Sequence, residues 1–381
     1  MNITVMIPSM DRPGGIERVT AVQANYWSTR LQHHVTIITY RNPECNSYFP
    51  LDEGVRIINY PWFDYDIWYE KIPIIGSLVK MRRKTQFYHQ RFVDLKSDLI
   101  VSMMHGPENN FLSYAAGDIP TIGVNHVTME FRDGTYADNF MHKVYQVINY
   151  QFLKQNIRNY NHVISLSKTD LLKLKAIGCR ASFIPNPFSM PSCSADALQH
   201  REKRIVMVGR IDHLKGQNRL LDIWAEMARK YPEWTLTFIG DGRDAEELKK
   251  RCCELGIEKQ TEFTGNIKNV RERLLQASIF AFTSRTESFG MVLLEAMSCG
   301  LPVVTYDCEN GPRDIIDNYY NGFLVPDGDR ACFERRLSIL MNDEHLRVRL
   351  ATNALTSVER FRDEVVMKEW DDLLEQTRAN K

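Results

Sequence analysis

The sequence predicts an α/β protein built from two doubly wound parallel sheets, and three observations carry this. The chain has 381 residues, more than one hydrophobic core comfortably holds. Short, mostly apolar β-type runs alternate with stretches of helical periodicity, which implies parallel sheets covered on both faces. That alternation stops at a proline-rich break and then resumes with the same rhythm.

Taken in order, NITVMIPSM opens the chain as a strand, DRPGG follows as a turn, and IERVTAVQANYWSTRL spaces its apolar residues as a helix does. HHVTIITY is the next strand. LIVSMMHG (99–106), TIGVNHVT (121–128), KVYQVINY (143–150) and NHVISLS (161–167) continue the strand series, with helical material between several of them. The break, IPNPFSMPSCSADALQH (184–200), holds three prolines and several small polar residues, and reads as a linker. RIVMVGR (204–210), a helix over 216–230, WTLTFIGDG (234–242), a helix over 244–255 and TEFTGN (261–266) restart the pattern. A helix near 268–276, SIFAFTS (278–284), a helix around 290–299, LPVVTYD (301–307) and NGFLVPDGD (321–329) complete it. Residues 331–378 read as helix with one or more breaks. In such sheets ligands bind beyond the carboxyl ends of the strands, so strand-to-helix junctions are where function is sought.

The totals exclude several classes. Lys plus Arg equals Asp plus Glu at 48 each, so no global field attracts nucleic acid. The eight cysteines show no paired C-x-x-C spacing, which argues against zinc or iron–sulfur and for reduced thiols in a cytosolic compartment. The first strand begins at residue 2 with no signal-type leader, and no apolar run reaches 18 residues. A cytoplasmic location is expected.

Three junctions stand out. In DRPGGIE (11–17), Gly14 and Gly15 would let the backbone turn tightly and leave amides free for an anion or a sugar. A plain tight turn explains them equally well, and the spacing does not fit G-x-G-x-x-G. In VGRIDHLKGQ (208–217), Arg210 and Lys215 lead into a helix, and two cations with helix-start amides suit a diphosphate. A solvated pair of surface charges is the bland alternative; Gly216, permitting close approach of phosphates, weighs against it. In RTESFGMVLLEAMSCG (285–300), the helix should begin near Gly290 or Met291. Glu287 then lies on the preceding loop and Glu295 in an early turn. Glu287 alone could be ordinary negative charge before a helix N-terminus. Glu295 is harder to dismiss, because an unpaired carboxylate in an apolar helix is costly. A diphosphate would lie near the amides of Phe289, Gly290, Met291 and Val292.

Together these segments resemble the retaining glycosyltransferases of the GT-B fold, family 4, of the bacterial surface-polysaccharide type. E-x7-E is present as Glu287 to Glu295 in ESFGMVLLE, followed by AMSCGLPVVTYD, and GR…KG as Arg210 and Lys215. Gly14 and Gly15 are similar to the family's N-terminal loop facing the donor phosphates and acceptor. VNHVT (124–128) resembles the strand end carrying its active-site histidine, which makes His126 that residue. ENGPRD (309–314) resembles a variant of the polysaccharide enzymes, its backbone lining a sugar pocket and Arg313 serving as a salt-bridge partner. The resemblance implies two Rossmann-like domains facing across a deep cleft. The N-terminal acceptor-side domain would span 1–187, the nucleotide-sugar domain 188–362, and a helix over 363–381 would cross back to the first.

It also implies the chemistry. A hexose or N-acetylhexosamine would pass with retention from a nucleotide-sugar, UDP-linked by preference over GDP, to a saccharide or a polyprenyl-diphosphate-linked acceptor. Arg210, Lys215 and the helix-start amides would stabilise the leaving diphosphate, Glu287 orient the sugar, Glu295 hold the ribose and His126 bond a ring hydroxyl. No cofactor or metal is obligatory on this reading, and DYD (64–66), far from the other motifs, is loop structure or an acceptor-side feature. KIPIIGSLVKMRRKTQFYHQR (71–91) carries Lys80, Arg82, Arg83, Lys84 and Arg91 beside its apolar portion and no acidic residue, and could rest peripherally on an anionic membrane. A solvated basic helix is the alternative. His105, at the end of VSMMH, could shape a pocket; His33, His34 and His162 begin strands, the wrong end for a site. Two other functions share the design: a non-hydrolysing UDP-N-acetylglucosamine 2-epimerase and a catalytically silent sugar-nucleotide-binding subunit.

Overall fold

A computed structural model describes residues 1–61, 73–127, 153–199 and 201–379. The chain forms two compact units, one of Met1–Pro187 together with the stretch from Asp363 onward, the other of Phe188–Arg362.

In the first unit seven strands form a parallel sheet: β1 (Asn2–Met6), β2 (His34–Thr39), β3 (Val55–Asn59), β4 (Leu99–Ser102), β5 (Thr121–Asn125), β6 (His162–Ser165) and β7 (Ala181–Phe183). Their order is β3-β2-β1-β4-β5-β6-β7, so the direction of winding reverses between β1 and β4. The central strands β4 and β5 are buried at every residue, which is why they read as unbroken apolar runs rather than alternating ones. Two strands were not foreseen. β3 and β7 are edge strands whose residues are mostly half-buried. The expected strand at 143–150 lies outside the described residues.

The helix Gly15–Thr29 buries Val19, Ala24 and Trp27 against this sheet. Trp27 meets Trp370 of the terminal helix Asp363–Ala379 edge-on, with ring centroids 5.4 Å apart. Such a pair adds about 0.5–1.5 kcal/mol beyond the area it buries. Tyr26 donates from its hydroxyl to Asp371 at 3.2 Å, a second tie for the same helix. The last helix thus shares the core of the first unit, although the whole second unit separates them in sequence.

The second unit is a six-stranded parallel sheet of β8 (Arg204–Val208), β9 (Thr235–Ile239), β10 (Thr261–Phe263), β11 (Ile279–Phe282), β12 (Val303–Asp307) and β13 (Gly322–Pro326). The order β10-β9-β8-β11-β12-β13 repeats the winding of the first unit, with its reversal between β8 and β11. Its helix Gln217–Lys230 buries Leu220, Leu221, Trp224, Met227 and Ala228, the three-and-four spacing of one core-facing stripe. Trp224, Trp234, Phe238, Phe280 and Phe333 are almost fully enclosed. Each contributes about 1.5–3 kcal/mol by leaving water. The helices Arg330–Asn342 and Glu344–Val358 close the unit. The predicted linker contains the boundary, and Phe188 is tied into the second unit by donating its amide to Phe361 O at 2.9 Å.

Candidate active site

The reversal between β8 and β11 brings the loops after these two strands side by side, and in doubly wound sheets that crevice takes the ligand. Hydrogen bonds to backbone carbonyls stitch the loops together. Thr283 Oγ1 donates to Gly216 O at 2.8 Å, and the Arg285 amide donates to Leu214 O at 2.8 Å. Gly216 has φ +70°, and a Cβ there would lie 2.2 Å from Thr283 O. The sequence suggested room for phosphate as the reason for this glycine; the structure gives a nearer one, the approach of the neighbouring loop.

Stitching these loops joins two side chains predicted separately. Lys215 Nζ donates to Glu287 Oε1 at 2.5 Å, and Ser284 Oγ donates to the same oxygen at 2.9 Å. The Lys215 side chain is 28% exposed and that of Glu287 9%. The pair therefore lies between an exposed one, worth about 0–1 kcal/mol, and a buried one, where removing a partner costs about 3–5 kcal/mol. Arg210 has a partner too. Its Nε donates to Asp212 Oδ2 at 2.5 Å, with the arginine side chain 67% exposed and the aspartate 5%. Asp212 Oδ1 accepts the Lys215 amide at 3.0 Å, and Gln217 donates from Nε2 to Arg210 O at 2.9 Å. Burial pushes the Asp212 carboxyl upward, but the bond from Arg210 and the Lys215 amide outweigh it and hold it below its ordinary value.

The helix expected near residue 290 spans Met291–Ser298, preceded by Gly290 in the left-handed region, and no side chain caps its start. Its first amides and the positive end of its dipole are therefore available to an anion. Glu287 lies on the loop and Glu295 in the second turn, as their spacing required; Glu295 is 7% exposed among Leu294, Ala296 and Met297. Phe289 packs edge-on to Phe361, with centroids 5.8 Å apart. The ENGPRD loop lies directly against this helix start. A Cβ on Gly311, at φ +79°, would stand 2.2 Å from Phe289 O. Arg313 donates to Asp307 at 2.8 Å, the salt bridge anticipated for it.

The first unit presents its candidates separately. His126 follows the end of β5, is 7% exposed, and donates its amide to Val124 O at 3.0 Å. Gly14 precedes the helix Gly15–Thr29 with φ −89° and ψ 159°, extended values open to any residue. The backbone at position 14 does not use glycine's left-handed freedom, although a Cβ there would meet the Glu17 carboxylate. Burial, opposed by a backbone amide, pushes the pKa of that carboxylate upward. His105 is exposed. His34 and His162 begin β2 and β6, and the His162 ring bonds Ser182 Oγ at 2.9 Å. The basic segment forms the helix Pro73–Asp94. Arg82 and Arg83 are exposed on it, whereas Arg91 lies over the Phe87 ring at 4.6 Å and pairs with Asp94 at 3.3 Å, so that cation is taken up by the fold. DYD lies outside the described residues.

Three polar residues escaped the sequence reading. Asp212 stands between the two cations in GRIDHLKG and could have been noticed there; Ser284 and Gln217 carry no signal without the loop pairing. Among the described residues no group of His, Cys, Asp and Glu is placed to hold a metal ion, and no helix is long and apolar enough to cross a membrane. All eight cysteines are free thiols.

Residues 194–356 match the family model described as glycosyl transferases, group 1. The amylovoran biosynthesis glycosyltransferase AmsD of Erwinia amylovora is 31% identical over 179 residues, 47% of this chain and 50% of that one. The match thus spans about half the length of that curated relative. A Campylobacter jejuni enzyme is 24% identical over 98% of both chains; its name describes an alpha-1,4-N-acetyl-D-galactosaminyltransferase acting on a diNAcBac-diphosphoundecaprenol-linked GalNAc saccharide. Among solved structures, Staphylococcus aureus TarM superposes with a TM-score of 0.73 at 14% identity, covering 98% of this chain and 99% of that one. That likeness, with the two parallel sheets, shows the GT-B fold. Fold, family match over the second unit and relatives together support a GT-B glycosyltransferase.

Proposed function

We propose that the protein is a retaining hexosyltransferase of family 4. It moves a hexose or N-acetylhexosamine from a UDP-sugar to a saccharide or lipid-linked saccharide in bacterial surface-polysaccharide synthesis. The observation that carries this is the meeting of Lys215 and Glu287 at the β8–β11 reversal, beside an uncapped helix start. It sets a cation for diphosphate next to a carboxylate for sugar hydroxyls, at the place where this topology binds ligands. The relatives' names support the substrate class: one acts on a diphosphoundecaprenol-linked saccharide, and TarM was solved with UDP and alpha-GlcNAc-glycerol.

On this reading the diphosphate takes over Lys215 and the fork of Arg210. Glu287, released from the ammonium, accepts from the donor sugar while Glu295 bonds the ribose. Negative charge grows on the departing phosphate as the glycosidic bond breaks, and Arg210, Lys215 and the amides of Phe289 to Val292 stabilise it preferentially then. His126 bonds a hydroxyl of the sugar ring, and the departing phosphate oxygen takes the acceptor's proton, so neither glutamate is a covalent nucleophile. Cations and helix amides provide the phosphate compensation without an obligatory metal. The exposed Arg82 and Arg83 suit a peripheral contact with anionic lipid on the cytoplasmic side.

The test is a donor screen by mass spectrometry without added metal, using UDP- and GDP-hexoses and N-acetylhexosamines with and without lipid-diphosphate saccharides. Acceptor mass should rise by one sugar with a UDP donor, and Glu287→Ala should abolish the gain. Isomerisation of UDP-N-acetylglucosamine without acceptor, seen by chromatography, would replace transfer by epimerisation. Donor binding with neither product across a broad acceptor pool would indicate a silent subunit.

A further inference from the structure

The cradle for a diphosphate contains an aspartate, and this needs a reason. Asp212 lies between Arg210 and Lys215, and its negative charge repels the ligand both cations are there to attract. Its side chain is 5% exposed, so water does little to screen that charge. Its bonds supply the reason. One carboxylate oxygen takes Arg210 Nε at 2.5 Å, and the other accepts the Lys215 amide at 3.0 Å. Its main-chain carbonyl accepts from the amides of Lys215 at 3.1 Å and Gly216 at 3.3 Å, closing the turn that delivers Lys215 to Glu287.

We propose that Asp212 is the positioning residue of the diphosphate site, fixing Arg210 through its guanidinium and Lys215 through its backbone. This rests on the reading of Arg210 and Lys215 given above. Because Asp212 engages Nε, the end-on edge of the guanidinium formed by the two terminal nitrogens is left for the bidentate bond that suits phosphate oxygens. Gln217, 2% exposed, holds the same arginine by its carbonyl. The guanidinium is thus fixed at both ends of its residue while two thirds of its side chain stays open to solvent. Asp212 touches neither sugar nor phosphate; it gives up some ground-state attraction for a fixed donor geometry in the transition state.

The consequence is a split between binding and turnover. Replacing Asp212 by Asn removes the repulsive charge and the ion pair but keeps an oxygen for the Lys215 amide. In Asp212→Asn, UDP measured by calorimetry should bind at least as tightly as to the wild type, while kcat for transfer falls roughly ten- to a hundredfold, the effect of a displaced catalytic donor. Asp212→Glu should recover part of kcat, because its carboxylate still reaches Arg210. Thermal melting of each variant identifies any folding loss; should Asp212→Asn fail to fold, Arg210→Lys, which keeps the charge but loses the fork, takes its place and should show the same low kcat. Unchanged kcat in Asp212→Asn, or UDP binding weakened in proportion to kcat, would overturn the proposal. If wild-type protein binds neither UDP nor GDP, the diphosphate reading itself falls, a failure distinct from an active wild type with an indifferent Asp212.

Discussion

The two sheets wind alike, β3-β2-β1-β4-β5-β6 in one unit and β10-β9-β8-β11-β12-β13 in the other, yet their reversal points are furnished differently. At the second unit's reversal the loops after the two flanking strands carry charge that meets near the surface, in Arg210 with Asp212 and Lys215 with Glu287. In the first unit the loop after β4 turns inward instead. Glu108 is completely enclosed and accepts from Tyr40 Oη at 2.8 Å, the His105 amide at 3.0 Å and the Gly106 amide at 2.9 Å. Burial pushes the Glu108 pKa upward, the hydroxyl and the amides opposing it, and burial likewise raises the hydroxyls of Tyr40 and Tyr88. One topology thus supports a partly exposed cluster of ion pairs and a sealed structural anchor. Strand order decides where a site can be; the residues on the loops decide whether there is one.

The contrast is broken most severely at Lys215. Lys215→Ala should lower transfer by roughly 10²- to 10³-fold, the usual loss on removing a donor aimed at developing charge. Glu287→Gln separates the roles further: it frees Lys215 from its partner, so UDP should bind at least as tightly while transfer fails. Weaker UDP binding in Glu287→Gln would show that Glu287 and the diphosphate do not compete for Lys215. Next in size is His126→Ala in the first unit. Loss of about one hydrogen bond to the sugar predicts roughly a tenfold fall in kcat/KM, with UDP affinity within about twofold of wild type by calorimetry, since UDP lacks the sugar. Equal loss in both measurements would place His126 elsewhere in the reaction.

The smallest effect concerns stability. A carboxyl whose folded pKa lies above its unfolded value stabilises fully below the unfolded value, and that contribution disappears as pH rises through the folded value. For Glu108 the window starts near the ordinary glutamate value of 4.5 and extends upward. Glu108→Gln cannot ionise, so its melting temperature minus that of the wild type should increase as pH rises through this window. A difference independent of pH would mean that Glu108 is charged in the folded protein, held by its three donors.

Much of this organisation was readable beforehand, for identifiable reasons. Buried parallel strands are continuous apolar runs, so β1, β4, β5, β8 and β11 were located from composition alone. The spacing of Glu287 and Glu295 is fixed by the chain, so loop and helix could be assigned to them. β3 and β7 are short edge strands of five and three residues, where a run gives periodicity little length to show itself. An adjacent pair of glycines looks like a turn whether or not the backbone uses positive φ there, and at position 14 φ is −89°.

By itself, the sequence determined the alternation of strand and helix, the break between two units, the strand ends where ligands are met, and the residue types gathered there. All of these follow from patterns with a period of a few residues, which neighbouring residues impose on one another. Only the tertiary structure decided which charges would meet. Lys215 and Glu287 are 72 positions apart, Tyr40 and Glu108 68, and Tyr26 and Asp371 345. Contacts at such separations depend on strand order and on the closeness of two loops, down to the absence of a Cβ at Gly216. No local periodicity records them.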